Sequence, residues 1–138
     1  MTIPKTIAGT LATDSRFSRM AKVMRATGFE TVLAGKRLFT VCAPTDEAFQ
    51  RLSPELLTAF VEDPQGKLLL LIQYHILFGS LSYNTIKKLN FPKTRLGITV
   101  EITEVDDRVL FGGATIIIPD IICSNGMIHG IDRVVIPK

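Results

Sequence analysis

The sequence predicts an α+β domain, with helices gathered in the first half of the chain and strands in the second. Two patterns carry this. Apolar residues recur at helical spacing up to about residue 76, and beyond Phe91-Pro92 the period changes to two. Composition adds a third observation: 46% hydrophobic and 21% charged residues in a 138-residue chain are enough for one core without a metal or disulfide staple. No repeat, low-complexity tract or linker interrupts residues 1–138, so the whole chain parses as one domain.

The first clear helix is predicted over Ser15–Thr27. Phe17, Met20, Ala21 and Met24 fall on one arc, while Arg16, Arg19, Lys22 and Arg25 spread over the opposite half. Asp14 or Ser15 caps its start and Gly28 closes it. A short helical turn over Phe29–Leu33 follows, ended by Gly35. Leu38–Cys42 reads as an apolar strand stopped by Pro44, and Thr45 or Asp46 caps a helix through Ala48, Phe49 and Leu52. Ser53-Pro54-Glu55 opens another, with a cap, a proline in the first turn and an acid against the helix dipole. Asp63-Pro64 opens a third, from Gln65 to about Ile76, apolar on most sides and therefore expected to be packed on a sheet.

In the second half, Ile98, Val100 and Ile102 alternate with Thr99, Glu101 and Thr103. Asp106-Asp107 and Gly112-Gly113 are tight turns around a strand at Val109–Phe111, and Thr115–Ile118 completes an antiparallel meander. Asn125-Gly126 turns the chain into a last strand, Met127–Ile136, apolar on both faces and so expected in the sheet interior.

Several function classes are disfavoured. A net charge of +3 without a block of like charges or a tryptophan is thin for nucleic-acid binding. The longest apolar run, Leu68–Ile72, is far short of a membrane span. No Gly-x-Ser-x-Gly elbow occurs, and His75 and His129 are the only imidazoles. His75, His129, Cys123 and Asp132 are metal-ligating types but lack ligand spacing. Gly112-Gly113 joins two strands and so offers a bound phosphate no helix N-terminus. The basic helix face reads as solvated, ahead of contact with acidic polysaccharide or lipid head groups. Asp132 is expected as an interior carboxylate paired with Arg133, His129 or backbone N–H groups. Cys42 and Cys123 are far apart, and their spacing fixes no pairing. No catalytic residue, metal or cofactor is predicted.

Three segments then carry a resemblance. Phe39–Phe49 (Phe-Thr-Val-Cys-Ala-Pro-Thr-Asp-Glu-Ala-Phe) resembles the first signature box of the fasciclin-domain family. Tyr74-His75 matches its Tyr-His box, and Ser124–Pro137 is similar to its closing box. The order and spacing also fit, from about Ile7 to the C-terminus. The resemblance implies a wedge-like β-sheet region with a cluster of helices, in which Thr45, Asp46, Asn125, Gly126, His129 and Asp132 are architectural. It implies a non-enzymatic role in adhesion, by binding proteins or glycans at a cell surface, cell envelope or matrix. Partner contacts carry over to Tyr74, His75, Asp120 and Ile121.

Two departures from the family pattern, Cys42 and Gly130, remove core volume, so a local cavity or a compensating neighbour is expected. A cavity would favour a second role attributed to some members, binding of a small hydrophobic ligand such as a pigment or lipid. Met1–Lys5 shows no signal core, which sets a cytoplasmic location beside the extracellular one that the resemblance implies.

Overall fold

The computed structural model describes residues 5–137. Thr6 caps α1 (Ile7–Thr13) by accepting the Gly9 N–H at 3.0 Å. A 3-10 turn, Ser15–Phe17, precedes α2 (Ser18–Thr27), and α3 (Glu30–Leu33) follows. The chain continues through β1 (Phe39–Pro44), α4 (Asp46–Gln50), α5 (Pro54–Val61), α6 (Lys67–Tyr74), β2 (Ile76–Phe78) and α7 (Tyr83–Lys87). β3 (Ile102–Val105), β4 (Arg108–Phe111), β5 (Ala114–Cys123) and β6 (Gly126–Ile131) complete it. The fold is α+β.

The strands form one six-stranded mixed sheet in the order β2-β1-β6-β5-β4-β3. β6 runs parallel to β1 and antiparallel to β5, so the closing segment is an interior strand, as its two apolar faces require. Phe39, Val41, Ala43 and Ile128 point to one face, where Phe17, Met20, Met24, Leu68, Leu71 and Ile72 of the helices cover them. Cys42 and Ile131 point to the other, where Val109, Phe111 and Ala114 of the β3–β5 meander curl over with Ile86 of α7. The meander turns are those predicted: Asp106 and Asp107 have φ of 50° and 65°, Gly112 and Gly113 of 56° and 91°. Two consecutive positive-φ residues give the mirror-image turn whose twist matches the flanking strands.

Five expectations are corrected. The helix predicted from Ser15 begins as a 3-10 turn, with Asp14 accepting the Arg16 N–H at 3.0 Å. The apolar helix from Gln65 stops at Tyr74 because Ile76–Phe78 pairs with Phe39–Val41, a long-range partner that a short apolar run does not announce. β1 runs through Pro44, whose missing N–H falls at the last register position of the strand. Ile98–Val100 alternates without joining a ladder; a bridge between Lys93 and Thr99 is its sheet pairing, and β3 begins at Ile102. The last strand ends at Ile131, where Asp132-Arg133 bends the chain away.

Candidate functional site

The signature residues form the polar frame between sheet and helices. Thr45 caps α4, accepting the Ala48 N–H at 3.3 Å. Asp46 reaches back instead: its carboxylate accepts the Arg19 N–H at 2.8 Å and the Ser18 hydroxyl, capping α2, which has no side-chain cap of its own. Asn125 ties three elements together. Its Oδ1 accepts the Ile7 N–H at 2.8 Å, and its Nδ2 donates to the carbonyls of Leu33 and Gly35 at 2.6 and 2.9 Å. Gly126, at φ 152°, lies against the Phe39 carbonyl so closely that a Cβ would overlap its oxygen.

The two imidazoles are buried and each bonds backbone through both nitrogens. His75 Nδ1 lies 2.8 Å from the Leu71 carbonyl, and its Nε2 accepts the Val135 N–H at 2.9 Å. Burial pushes its pKa down to about 4. His129 Nδ1 accepts the Asp120 N–H at 3.0 Å, which leaves Nε2 as the protonated nitrogen, 2.8 Å from the Leu81 carbonyl. Burial lowers its pKa as well. Asp132 corrects an expectation: its side chain is 26% exposed at the end of β6. It accepts the Thr115 N–H at 2.8 Å, with Arg51 Nη1 3.7 Å from Oδ2.

The structure does not place the four predicted contact residues on one surface. Tyr74 and His75 end α6 inside the molecule, 8% and 2% exposed. Asp120 is at the surface of β5 and Ile121 is half-buried against the helical core. Asp120 adopts φ 57°, a left-handed conformation that Asp tolerates better than most residues, and its Oδ1 accepts the Tyr83 N–H at 2.8 Å. The register of β5 against β6 shifts twice, between Ile116 and Ile118 and between Ile118 and Ile121. These bulges turn out Ile117, 48% exposed, while Ile122 beyond them is 68% exposed. Sequence reasoning missed both isoleucines. Their signal was an excess of apolar residues: Ile116-Ile117-Ile118 and Ile121-Ile122 exceed what one strand buries on alternating faces.

Cys42 and Cys123 are both free thiols, one in the meander core and one in the helical core. Burial pushes both pKa values up. The volume missing at Gly130 is taken by neighbours, since an added Cβ would lie 2.9 Å from Ile118 Cβ and 3.1 Å from Phe17 Cζ. Beside His75, between α2, α6 and Val134, there is a crevice of about 10 Å³, room for no more than one water. A larger groove of about 290 Å³ opens on the helical side, lined by Arg19, Lys22, Val23, Leu57, Val61 and Leu68 among others. One wall is α5, an apolar helix with no buried residue. Among the described residues, no three of His, Cys, Asp and Glu converge as metal ligands would, and no helix is long and apolar enough to cross a membrane.

This architecture matches known proteins. The Fasciclin domain family model covers residues 15–137. Protein sll1735 of Synechocystis sp. is 35% identical over 124 residues, 89% of this chain and 91% of that protein. Transforming growth factor-beta-induced protein ig-h3 of Sus scrofa is 30% identical over 137 residues, 99% of this chain but 20% of that protein. Stabilin-1 of Homo sapiens is 32% identical over 96% of this chain, which spans 5% of its length. Among solved structures, a FAS1 domain pair from the insect cell adhesion molecule Fasciclin I superposes with a TM-score of 0.80 at 18% identity, over 96% of this chain and 51% of that one. The chain belongs to the fasciclin-domain family.

Proposed function

We propose that this domain is a non-enzymatic adhesion module that binds a protein or glycan partner at a cell surface, cell envelope or extracellular matrix. The observation that carries the reading is the outer segment of β5, where Ile117 and Ile122 stand 48% and 68% exposed on either side of Asp120. Ile117 stands beside Ser15 and Asp46, and Ile122 faces away from the helical core that takes Ile121 and Cys123, so each offers a separate apolar anchor next to the Asp120 carboxylate along the strand. The insect cell adhesion molecule Fasciclin I, whose domain pair shares this fold, supports the same reading. Asp120 acts here as a contact residue, and Ile121, packed on the helical core, anchors the strand beside it. Tyr74 and His75 lie inside the molecule and are not contact residues in this reading: His75 accepts the Val135 N–H and Tyr74 packs in the meander core. The non-enzymatic part rests on the imidazoles, whose nitrogens are committed to backbone, and on thiols too buried to ionise at neutral pH.

The test is attachment of beads coated with the full chain to cells and to matrix proteins. Ile122→Asp and Asp120→Asn should both reduce attachment severalfold without changing thermal unfolding. Asn is chosen because it keeps the acceptor oxygen and tolerates positive φ. Attachment that both variants leave intact would reject the surface. A wild-type chain that attaches to nothing would reject the adhesive role.

A further inference from the structure

Two surfaces of this molecule are complementary to each other. On the helical side, the groove between α2 and α5 has apolar walls from Val23, Leu57, Val61 and Leu68, with Arg19 and Lys22 at its edge and no acidic residue in its lining. Among the described residues neither cation is in an ion pair; the pairs present are Arg16–Asp14, Arg51–Asp132 and Lys87–Glu104. On the opposite side of the sheet, the β3–β4 hairpin ends in Glu104-Val105-Asp106-Asp107-Arg108. Val105 is 52% exposed at that tip; Glu104 is paired with Lys87, and Asp106 and Asp107 against Arg108 leave the turn with an excess of negative charge.

We propose that a second copy of this chain docks head-to-tail, the β3–β4 hairpin of one copy entering the α2–α5 groove of the next. Val105 is the apolar anchor, and Asp106 and Asp107 meet Arg19 and Lys22. The groove's shape favours a macromolecular occupant. Val61 in its wall is 55% exposed, so a small amphiphile lying there would keep much of its surface in water, whereas pockets for small ligands bury most of theirs. A hairpin brings its own backbone hydrogen bonds already satisfied and covers the groove from outside. The two surfaces differ and lie on opposite sides of the sheet. The contact is therefore heterologous and leaves a free groove and a free hairpin at each end, as a surface-coating or bridging assembly requires. Each contact is small, so association is weak in solution and gains from multiplicity where copies are arrayed. This inference goes beyond the β5 reading and does not depend on it.

Sedimentation velocity on the full chain tests it, from about 0.05 to about 1 mM protein, the range where weak contacts populate. The expected result is an average mass that rises with concentration at about 50 mM salt and a rise severalfold smaller at about 300 mM, where screening shortens the reach of the charges. R19E/K22E should remain monomeric throughout. D106N/D107G should also lose association, and since Asn-Gly is the favoured pair for this turn the hairpin itself is kept. Mixing R19E/K22E with E104K/D106N/D107G pairs an acidic groove with a basic hairpin and should restore association that neither variant shows alone. A wild-type chain that stays monomeric at every concentration overturns the proposal. So does association that the groove and hairpin variants leave unchanged. Binding of dodecanoate in the groove without self-association assigns it to a small ligand and overturns the proposal as well. Failure here leaves the Ile122→Asp attachment test standing, because that readout uses a different surface.

Discussion

Stability should fall as the medium is acidified from neutrality, and the buried His75 contributes to the slope. In the folded protein its pKa is about 4, because burial excludes the charged ring. In the unfolded chain it returns to the ordinary value near 6.5. Between those values the unfolded state takes up a proton that the folded state refuses, so acid favours unfolding. The difference of about 2.5 pK units corresponds to roughly 3 kcal/mol once the pH is well below 4, and to about 2 kcal/mol at pH 4.5. His129 adds to the loss in the same direction, because burial lowers its pKa too. The assay is urea unfolding at about pH 7, 5.5 and 4.5, following the midpoint and slope for the wild type and for His75→Gln. Glutamine keeps one donor and one acceptor but does not titrate. The variant should be less stable at pH 7 and lose less on acidification than the wild type by about 2 kcal/mol. Equal losses in the two proteins would show that His75 titrates normally when folded, and the reasoning from burial would fail.

Asn125→Ala removes hydrogen bonds to the Ile7 N–H and to the Leu33 and Gly35 carbonyls. With about 1 kcal/mol or more for each orphaned group, the expected loss is about 3–5 kcal/mol by chemical denaturation, and a loss below about 1 kcal/mol would contradict it. Gly130→Ala should cost about 1–3 kcal/mol by overpacking. Gly126→Ala should prevent folding, because its Cβ meets the Phe39 backbone rather than a side chain, and a protein of near-native thermal stability would refute this. Under native conditions a disulfide-exchange reagent should find neither Cys42 nor Cys123, and after unfolding it should titrate both. Rapid native labelling of Cys42 would contradict its complete burial.

Where local physics decides, the sequence was legible. The amphipathic stripe of Phe17, Met20, Ala21 and Met24 is buried as its spacing requires, and both two-residue turns of the meander adopt the positive φ that Asp-Asp and Gly-Gly permit. Helices α1 and α7 escaped because they are short and bury little: Ile7 and Leu11 in one, Ile86 in the other. Their evident local signals are the caps, Thr6 and Ser82. Ile76–Phe78 was not legible as a strand, and the predicted helix runs on to about Ile76, because its strand identity comes from pairing with β1, more than thirty residues earlier in the chain. The polar frame was legible in kind. That His129 would be tied up inside was implied by its place in the closing segment, whereas Asn125 read only as a turn residue, and the partners of neither followed: Leu33, Gly35 and Leu81 are loop and helix-end carbonyls that become neighbours only once the fold closes.

The β5 segment shows why the proposed contact surface lies where alternation fails. β5 serves two neighbours: Ala114 and Thr115 pair with β4, and Ile116 to Cys123 pair with β6. Ile116 belongs to the meander core, whereas Ile118 packs on the helical core. In an unbroken strand, residues two apart share a face, so these two cannot reach opposite cores without an extra residue between them. Ile117 is that residue, and it is left outside both cores. The second register shift, across Pro119-Asp120, carries the strand from Ile118 to Ile121 and puts both on the helical face, three residues apart. Asp120 takes up the excess chain in its left-handed conformation, held by the Tyr83 N–H and donating its own N–H to His129. Ile117 and Asp120 are thus left outside because bending the sheet between two cores excludes them from both, while Ile122, past both shifts, faces away from the helical core that takes Ile121 and Cys123. The buried imidazole of His129 fixes the position of Asp120 without itself reaching the surface.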